Sequence, residues 1–235
     1  MKGAKLGDDG PYPLIIFSHG NGGLGVQSFF LTEFLASHGY VVVCPDHTGN
    51  ALMTELPGGL VVRSGGEDGS YGSTALSDRV SDVSFLVDSM TELNASDPDG
   101  RFTGKIDLEN VGLTGHSFGG LTTLLGLEGD ARFDAGAPMA PASPDSSSIS
   151  RPVMFFTATE DRTLSNAKTE TNYQNLTGPK MWLSIVDAGH FFRHARPRHH
   201  EFLSDRALGL LSEARHPLLG RLARRAVFGR RNHPA

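Results

Sequence analysis

A five-residue segment, residues 115–119 with the sequence Gly-His-Ser-Phe-Gly, follows the apolar run at residues 111–114 and precedes a second apolar run. The first run predicts a buried strand, and the second predicts the start of a helix. A serine on so sharp a strand-to-helix turn has crowded backbone neighbours, so the residues two before and two after it need almost no side-chain volume. Gly115 and Gly119 meet that requirement, and Ser117 is therefore a candidate nucleophile.

The five-residue pattern alone is not specific, because 29 glycines in 235 residues allow a chance match. A serine hydroxyl at neutral pH also needs a base that takes its proton and a third group that orients the base. Both kinds of residue follow predicted strands further along the chain.

Two strand ends after the turn carry an acid and a histidine. Residues 151–158 predict a strand that leads into Asp161, and residues 180–186 predict a strand that leads into His190. The carboxyl ends of parallel strands line the ligand crevice of an open sheet, so both side chains are expected beside Ser117. The order serine, acid, histidine is that of the α/β-hydrolase arrangement. Glu160 remains an alternative for the acid, and Asp187 is a weaker one.

A glycine-rich turn follows the first predicted strand, residues 13–18. Acyl transfer places negative charge on the former carbonyl oxygen, which preorganised N–H groups must stabilise. We assign these donors to the backbone amides of Asn21 and Phe118. His19 is expected to support the turn rather than to act as a second base. A purely structural turn into a helix at residues 29–37 is the alternative.

Strands and helices alternate along the whole chain, with a further strand at residues 41–44, a long helix at 74–93 and a helix at 166–176. This alternation predicts an α/β fold: a mostly parallel sheet of about six strands with helices on both faces. With 38% hydrophobic and 20% charged residues, the composition suits one well-filled domain. The predicted domain is residues 1–235, with a core at about 13–211 and a basic tail at 212–235.

With these residues in place, the chain resembles the α/β-hydrolase superfamily from about residue 13 to residue 211. The segments 17–20 (Phe-Ser-His-Gly), 36–47 and 115–120 are similar to the bacterial dienelactone-hydrolase-like branch, which is related to platelet-activating-factor acetylhydrolases. The segments 158–176 and 187–191 also resemble bacterial cutinases and polyester hydrolases. This resemblance implies the α/β-hydrolase fold, with Asp161 as the acid and His190 as the base.

The sequence departs from these relatives in three respects. Dienelactone hydrolases use a cysteine nucleophile, whereas this turn carries Ser117 and the only cysteine is Cys44. Relatives usually have one or two more strands before the first one here, so the N-terminal strands are reduced or missing. Bacterial cutinases often carry a disulfide, which one cysteine cannot form within the chain.

Two loop regions bear on substrate access. The glycine-rich stretch between His47 and Gly72 shows no clear periodicity, and it either lines the substrate pocket or forms a surface loop. The segment 133–150 is short and rich in alanine, proline and serine, which predicts that no large lid covers the site.

The net charge of −5 hides a strong asymmetry, because residues 191–235 hold ten arginines and three acidic residues. A terminal helix packed on the domain explains this better than a lipid-surface contact, which remains the alternative. No nucleic-acid motif accompanies the arginines. His194, His199 and His200 lack a metal-ligand spacing, so no metal or other cofactor is expected.

Residues 1–10 lack the apolar core of a signal peptide, and no run approaches the about 20 apolar residues of a spanning helix. The chain is therefore expected to be cytoplasmic, with secretion possible if the start is truncated. The sequence does not indicate an oligomeric state.

Together these features predict a serine carboxylic-ester hydrolase that acts through an acyl-enzyme on small-molecule, lipid or polymer esters. The alternatives within this class are a polyester hydrolase and a phospholipid acetylhydrolase. From another class, a non-catalytic binding module on the same fold is the alternative.

Overall fold

The apolar runs of the sequence form strands that are separated by helices. A computed structural model of the chain describes residues 6–65, 74–142 and 148–193. The strands in these ranges are β1 (Tyr12–Ser18), β2 (Val41–Val43), β3 (Met53–Glu55), β4 (Val61–Arg63), β5 (Ile106–His116), β6 (Ala135–Met139), β7 (Val153–Ala158) and β8 (Lys180–Ile185). The helices are α1 (Phe29–Ser37), α2 (Ala75–Ala95), α3 (Phe118–Gly129) and α4 (Asn166–Asn175), and a 3₁₀ turn, Gly25–Ser28, precedes α1.

Six of the described strands form one parallel sheet in the order β2-β1-β5-β6-β7-β8. The chain runs outward from β1 to β2 and then returns to the other side of β1 with β5. The order therefore reverses between β1 and β5, and the crevice at the carboxyl ends of these two strands is where ligands bind in open α/β sheets. The predicted sheet of about six mostly parallel strands is confirmed.

Helices cover both faces of the sheet, as predicted. The alternation of side chains along β1 shows this directly. Leu14 and Ile16 lie in the larger apolar core with residues of α2 and α3 such as Val83 and Leu124. Ile15 points to the opposite face, where it packs with Leu35 of α1. Burying each such aliphatic side chain stabilises the fold by about 1.5–3 kcal/mol.

Strand β6 is a difference from the sequence analysis, which predicted no strand between residues 133 and 150. Its residues, Ala-Gly-Ala-Pro-Met, lack the β-branched and aromatic side chains that indicate a strand. Small residues are required here because a Cβ at Gly136 would overlap Leu127 of α3. Gly136 donates its amide to the Pro152 carbonyl just before β7, and Ala140 donates to the Phe156 carbonyl of β7, while Pro138 between them has no N–H to add to that ladder.

The short hairpin β3–β4 is a second difference, because residues 47–72 were expected to lack regular structure. Its strands pair antiparallel from Met53 with Arg63 to Glu55 with Val61. The turn between them holds Gly58 and Gly59 at φ values of 94° and 85°, a conformation that favours glycine. The predicted absence of a large lid stays a prediction, because residues 143–147 lie outside the described ranges.

Candidate active site

Ser117 lies on a strained turn between β5 and α3. Its φ of 57° and ψ of −113° place a residue with a side chain in a rarely populated backbone region. Such strain persists only where surrounding contacts fix it, and here the Ser117 N–H donates to the Met139 carbonyl of β6 at 2.8 Å. A Cβ at Gly119 would overlap the carbonyl of Ser18, and a Cβ at Gly115 would overlap that of Gly119. The two glycines therefore allow β1 and the turn to approach closely.

His190 and Asp161 lie together after β8 and β7. The Nδ1 atom of His190 donates a hydrogen bond of 2.7 Å to Oδ2 of Asp161, whose side chain is 1% exposed. The two loops are also joined by a backbone hydrogen bond from Glu160 to the Ala188 carbonyl. The alternative acids, Glu160 and Asp187, are exposed. The structure thus pairs His190 with Asp161 and not with either alternative.

The Asp161 carboxylate is held ionised. Burial alone would raise its pKa, but hydrogen bonds from His190 and from the backbone amides of Leu164 and Thr163 outweigh burial and lower the pKa below its usual value. Because the ionised carboxylate accepts from Nδ1, the neutral His190 ring carries its free lone pair on Nε2.

His116, the residue before Ser117, connects the turn to the His190 loop. Its Nε2–H donates to the His190 carbonyl at 2.8 Å, and the two rings lie 4.7 Å apart. Burial lowers the pKa of His116, so its ring is neutral and Nδ1 accepts from Gln27 Nε2 at 2.7 Å. In the described ranges no hydrogen bond joins the Ser117 hydroxyl to His190. Such contacts are often long without substrate and shorten in the complex.

The two amides that we assigned to the oxyanion site have no acceptor among the residues that the structure describes. Asn21 follows β1, and Phe118 is the first residue of α3, where helical N–H groups have no partner within the helix. Neither amide donates a hydrogen bond to another described residue. The following amides are engaged, since Gly22 donates to the Asn50 carbonyl and Gly23 to that of Gly20.

His19 is buried and has partners for both ring nitrogens. Its Nδ1–H donates to the Gly20 carbonyl at 2.7 Å, and Nε2 accepts from the His47 amide at 3.2 Å. Burial lowers the pKa of His19 to about 3. The ring therefore holds the turn in place and has no free lone pair with which to act as a base.

A group of polar residues beneath this turn was not predicted from the sequence. Arg79, Asn50 and His47 are buried, Gln27 is half-buried, and the Asp82 side chain is 44% exposed. One feature of the sequence could have indicated these polar residues. Arg79 lies four and eight residues before Val83 and Val87, so an arginine occupies the buried stripe of α2. The partners of Arg79 are far away in sequence, which is why no local pattern revealed them.

The remaining expectations concern other parts of the chain. Cys44 is a free, half-buried thiol whose pKa is raised to about 11 by burial. Within the described ranges no group of three histidine, cysteine or acidic side chains could hold a metal ion. None of the described helices is both long and apolar enough to cross a bilayer. His194, His199, His200 and the basic tail at 212–235 lie outside the described residues.

Comparison with known families gives two matches. The family described as PET hydrolase-like matches residues 72–201, which is more than half of the chain. The family described as platelet-activating factor acetylhydrolase, isoform II, matches residues 1–56.

Individual proteins agree with these matches. Platelet-activating factor acetylhydrolases from Cavia porcellus and Bos taurus are 27% and 29% identical over 152 and 150 residues, or 55% and 53% of this chain. The match covers only 35% and 34% of those two proteins. The solved structure of a ferulic acid esterase from Streptomyces cinnamoneus superimposes with a TM-score of 0.65 and 28% identity, covering 80% of this chain and 54% of that chain.

The same fold is indicated by the strained serine turn, by the six-stranded parallel sheet and by the family match over residues 72–201. The chain has an α/β-hydrolase fold and belongs to the PET hydrolase-like family.

Proposed function

We propose that this chain hydrolyses carboxylic esters through an acyl-enzyme on Ser117. The observation that carries the proposal is the 2.7 Å hydrogen bond between His190 and Asp161 at the sheet edge that also holds the strained serine turn. The names of the relatives support it, since an acetylhydrolase and a ferulic acid esterase both act on ester bonds.

In the proposed mechanism, His190 Nε2 takes the proton of the Ser117 hydroxyl as Oγ attacks the ester carbonyl. The amides of Asn21 and Phe118 stabilise the resulting oxyanion, and each such donor contributes about 2.7–4 kcal/mol to the barrier reduction. The imidazolium, stabilised by Asp161, then protonates the leaving alcohol as its C–O bond breaks. A water molecule repeats these steps on the acyl-enzyme and releases the acid and free Ser117.

Exposed apolar side chains border the site. Val26 and Leu52 flank the oxyanion turn, because Leu52 donates its amide to Gly23 and Val26 adjoins Gln27, which binds Gly20. Phe191 follows His190, and all three side chains are more than half exposed. Apolar rims of this kind favour esters with an accessible apolar acyl or alcohol group. Polyester segments and phospholipid acetyl esters both satisfy this description.

The proposal is tested with a panel of p-nitrophenyl esters of increasing acyl length, an acetylated phospholipid and a polyester film. We expect turnover of at least the short esters by wild type, and its loss in Ser117→Ala. Undiminished turnover in Ser117→Ala would contradict the proposal. No turnover of any ester by wild type would favour a non-catalytic binding module.

A further inference from the structure

Arg79 is the largest side chain that is completely buried in the described part of the chain. All five of its N–H groups have acceptors. Nε and Nη2 donate to Asn50 Oδ1 at 2.8 and 2.5 Å, and Nη1 donates to Ser18 Oγ and to the His19 carbonyl at 3.0 and 2.7 Å. The second Nη2 proton is directed at the Gly20 carbonyl at 3.2 Å.

No carboxylate of the described residues contacts this guanidinium directly. Its acceptors are carbonyl, hydroxyl and amide oxygens, all of them neutral. Burial lowers the pKa of Arg79 only to about 10, so the group is charged at neutral pH. A buried cation without an ionic partner is costly to keep. The charge therefore needs an explanation other than stability.

The nearest carboxylate, Asp82, is reached only through two other side chains. The Ser18 hydroxyl accepts from Arg79 and donates to His47 Nε2 at 2.9 Å, and His47 Nδ1–H donates to Asp82 at 2.7 Å. Burial lowers the pKa of His47, so the ring is neutral and can accept from Ser18 at Nε2 while it donates to Asp82 from Nδ1. This series of hydrogen bonds fixes the orientation of the Ser18 hydroxyl and, through the hydroxyl, one edge of the guanidinium.

The contacts of Arg79 determine which way the peptide groups of the oxyanion turn face. In a trans peptide the C=O and the next N–H point in opposite directions. Because Arg79 holds the His19 carbonyl, the Gly20 N–H points away and donates to Gln27 Oε1 at 2.8 Å. Because Arg79 and His19 both hold the Gly20 carbonyl, the Asn21 N–H also points away from the guanidinium.

Two further contacts extend this control to the rest of the proposed oxyanion site. Asn50, whose Oδ1 is bound by Arg79, donates Nδ2 to Asn21 Oδ1 at 2.7 Å and accepts the Gly22 amide. The guanidinium carbon also lies 4.9 Å from the ring centroid of Phe118, whose backbone amide is the second assigned donor. Arg79 therefore contacts both halves of the site.

We propose that Arg79 is a positioning residue of the oxyanion hole, which orients the Asn21 amide through the carbonyls of His19 and Gly20 and places a positive charge behind the developing oxyanion. The inference rests on the proposed ester hydrolysis and assigns to it a residue that touches neither substrate nor Ser117. A charge in this buried, low-dielectric position acts more strongly on the oxyanion than it would in water.

The test compares Arg79→Gln with the matched control Arg132→Gln, which removes an arginine from a surface ion pair with Asp88 and Asp130. For Arg79→Gln we expect kcat on a short p-nitrophenyl ester to fall about 100-fold with little change in KM, as for loss of an oxyanion donor. The inhibition constant of a trifluoromethyl ketone, which forms an oxyanion on the serine, should rise by the same factor as kcat/KM falls. Arg132→Gln should match wild type in both.

If Arg79→Gln does not fold, Asn50→Asp provides a second test of the role of Arg79. The new carboxylate still accepts from Arg79, so the fold is retained, but it neutralises the guanidinium and no longer donates to Asn21 Oδ1. We expect a fall in kcat of about tenfold or more with an unchanged unfolding midpoint.

The outcomes separate this inference from the proposed function. If wild type turns over esters and every folded variant keeps wild-type kcat and wild-type ketone affinity, the role of Arg79 is wrong and the proposed function stands. If kcat and KM change together while ketone affinity does not, Arg79 is only structural and the inference is also wrong. If wild type turns over no ester, the proposed function fails and takes this inference with it.

Discussion

A left-handed backbone at Ser117 costs of order 1–3 kcal/mol, and the surrounding residues maintain it. Gly115 and Gly119 give room for the close approach of β1, and the Met139 carbonyl binds the serine amide. No acceptor within residues 6–65, 74–142 and 148–193 binds the Phe118 amide at the start of α3. One strained residue therefore presents a hydroxyl and an N–H group on the same side of the sheet.

At this scale, Ser117, Asp161 and His190 were predictable because each follows a strand at a fixed position in the chain. The choice between Glu160 and Asp161 depends on the path of the loop after β7, which local sequence does not determine. Asp161 turns inward because the amides of Thr163 and Leu164 bind its Oδ1. The catalytic roles of these residues stay predictions.

We expect Asp161→Asn to lower kcat on a short p-nitrophenyl ester by about 10⁴-fold, because the amide no longer holds the His190 tautomer with a free Nε2. Glu160→Gln and Asp187→Asn, which change exposed acids of the same two loops, should stay close to wild type. Steady-state kinetics of the three variants measure this. A large loss in Glu160→Gln with activity kept in Asp161→Asn would reassign the acid.

Strand β6 shows why an element can be missed although it lies in the middle of the sheet. Its small residues reflect close packing of α3, and the missing N–H of Pro138 interrupts its ladder with β7. β1, β7 and β8 were identified by the β-strand propensity of their residues and by the pattern of apolar side chains along the sequence. Both signals depend on larger side chains. The hairpin β3–β4 was missed for another reason, since each of its strands has only three residues.

The packing of β6 against α3 predicts the effect of one added methyl group. In Gly136→Ala the new Cβ would overlap Leu127, so we expect a loss of about 1–3 kcal/mol in the free energy of unfolding. Gly129→Ala, at the end of α3 with open space around it, should be neutral or stabilising by up to about 1 kcal/mol. Urea denaturation of both variants measures the difference. Equal midpoints would show that α3 and β6 are not in close contact.

At the scale of the whole molecule, three histidines beneath the site are buried in their neutral forms. His19, His47 and His116 all have pKa values lowered chiefly by burial, while hydrogen bonding lowers the pKa of Asp161. Buried neutral histidines suit a fixed hydrogen-bond network, but they make the fold sensitive to acid. The architecture, a mostly parallel sheet with helices on both faces, was predictable from the alternation of strands and helices along the sequence. The single-domain boundary at 1–235 stays a prediction.

The pH dependence of stability follows from these shifts. Below about pH 6.5 the unfolded chain binds protons at these histidines, and the folded chain does not until the pH approaches the lowered values. The free energy of unfolding should change little between about pH 7.5 and 8 and fall as the pH decreases through about 6.5, by at most about 1.4 kcal/mol per pH unit for each histidine. The stabilisation from Asp161 is lost only at lower pH, below about 4.

Urea denaturation between pH 7.5 and 4.5 measures this dependence. His47→Gln should reduce the slope, because it removes one of the three buried neutral histidines. A free energy of unfolding that does not change between pH 7.5 and 5 would contradict the neutral, buried state of the three histidines.

The most direct test of the account is the site at which a fluorophosphonate reacts with the protein. Two serines can be compared: Ser117 near the His190–Asp161 pair, and the fully buried Ser18, which is hydrogen-bonded to His47, whose other ring nitrogen binds Asp82. Intact mass and peptide mapping should show one adduct per chain, on Ser117, and none in His190→Ala. An adduct on Ser18 or elsewhere, or no adduct on a folded wild-type chain, would contradict the assignment of Ser117 as the nucleophile.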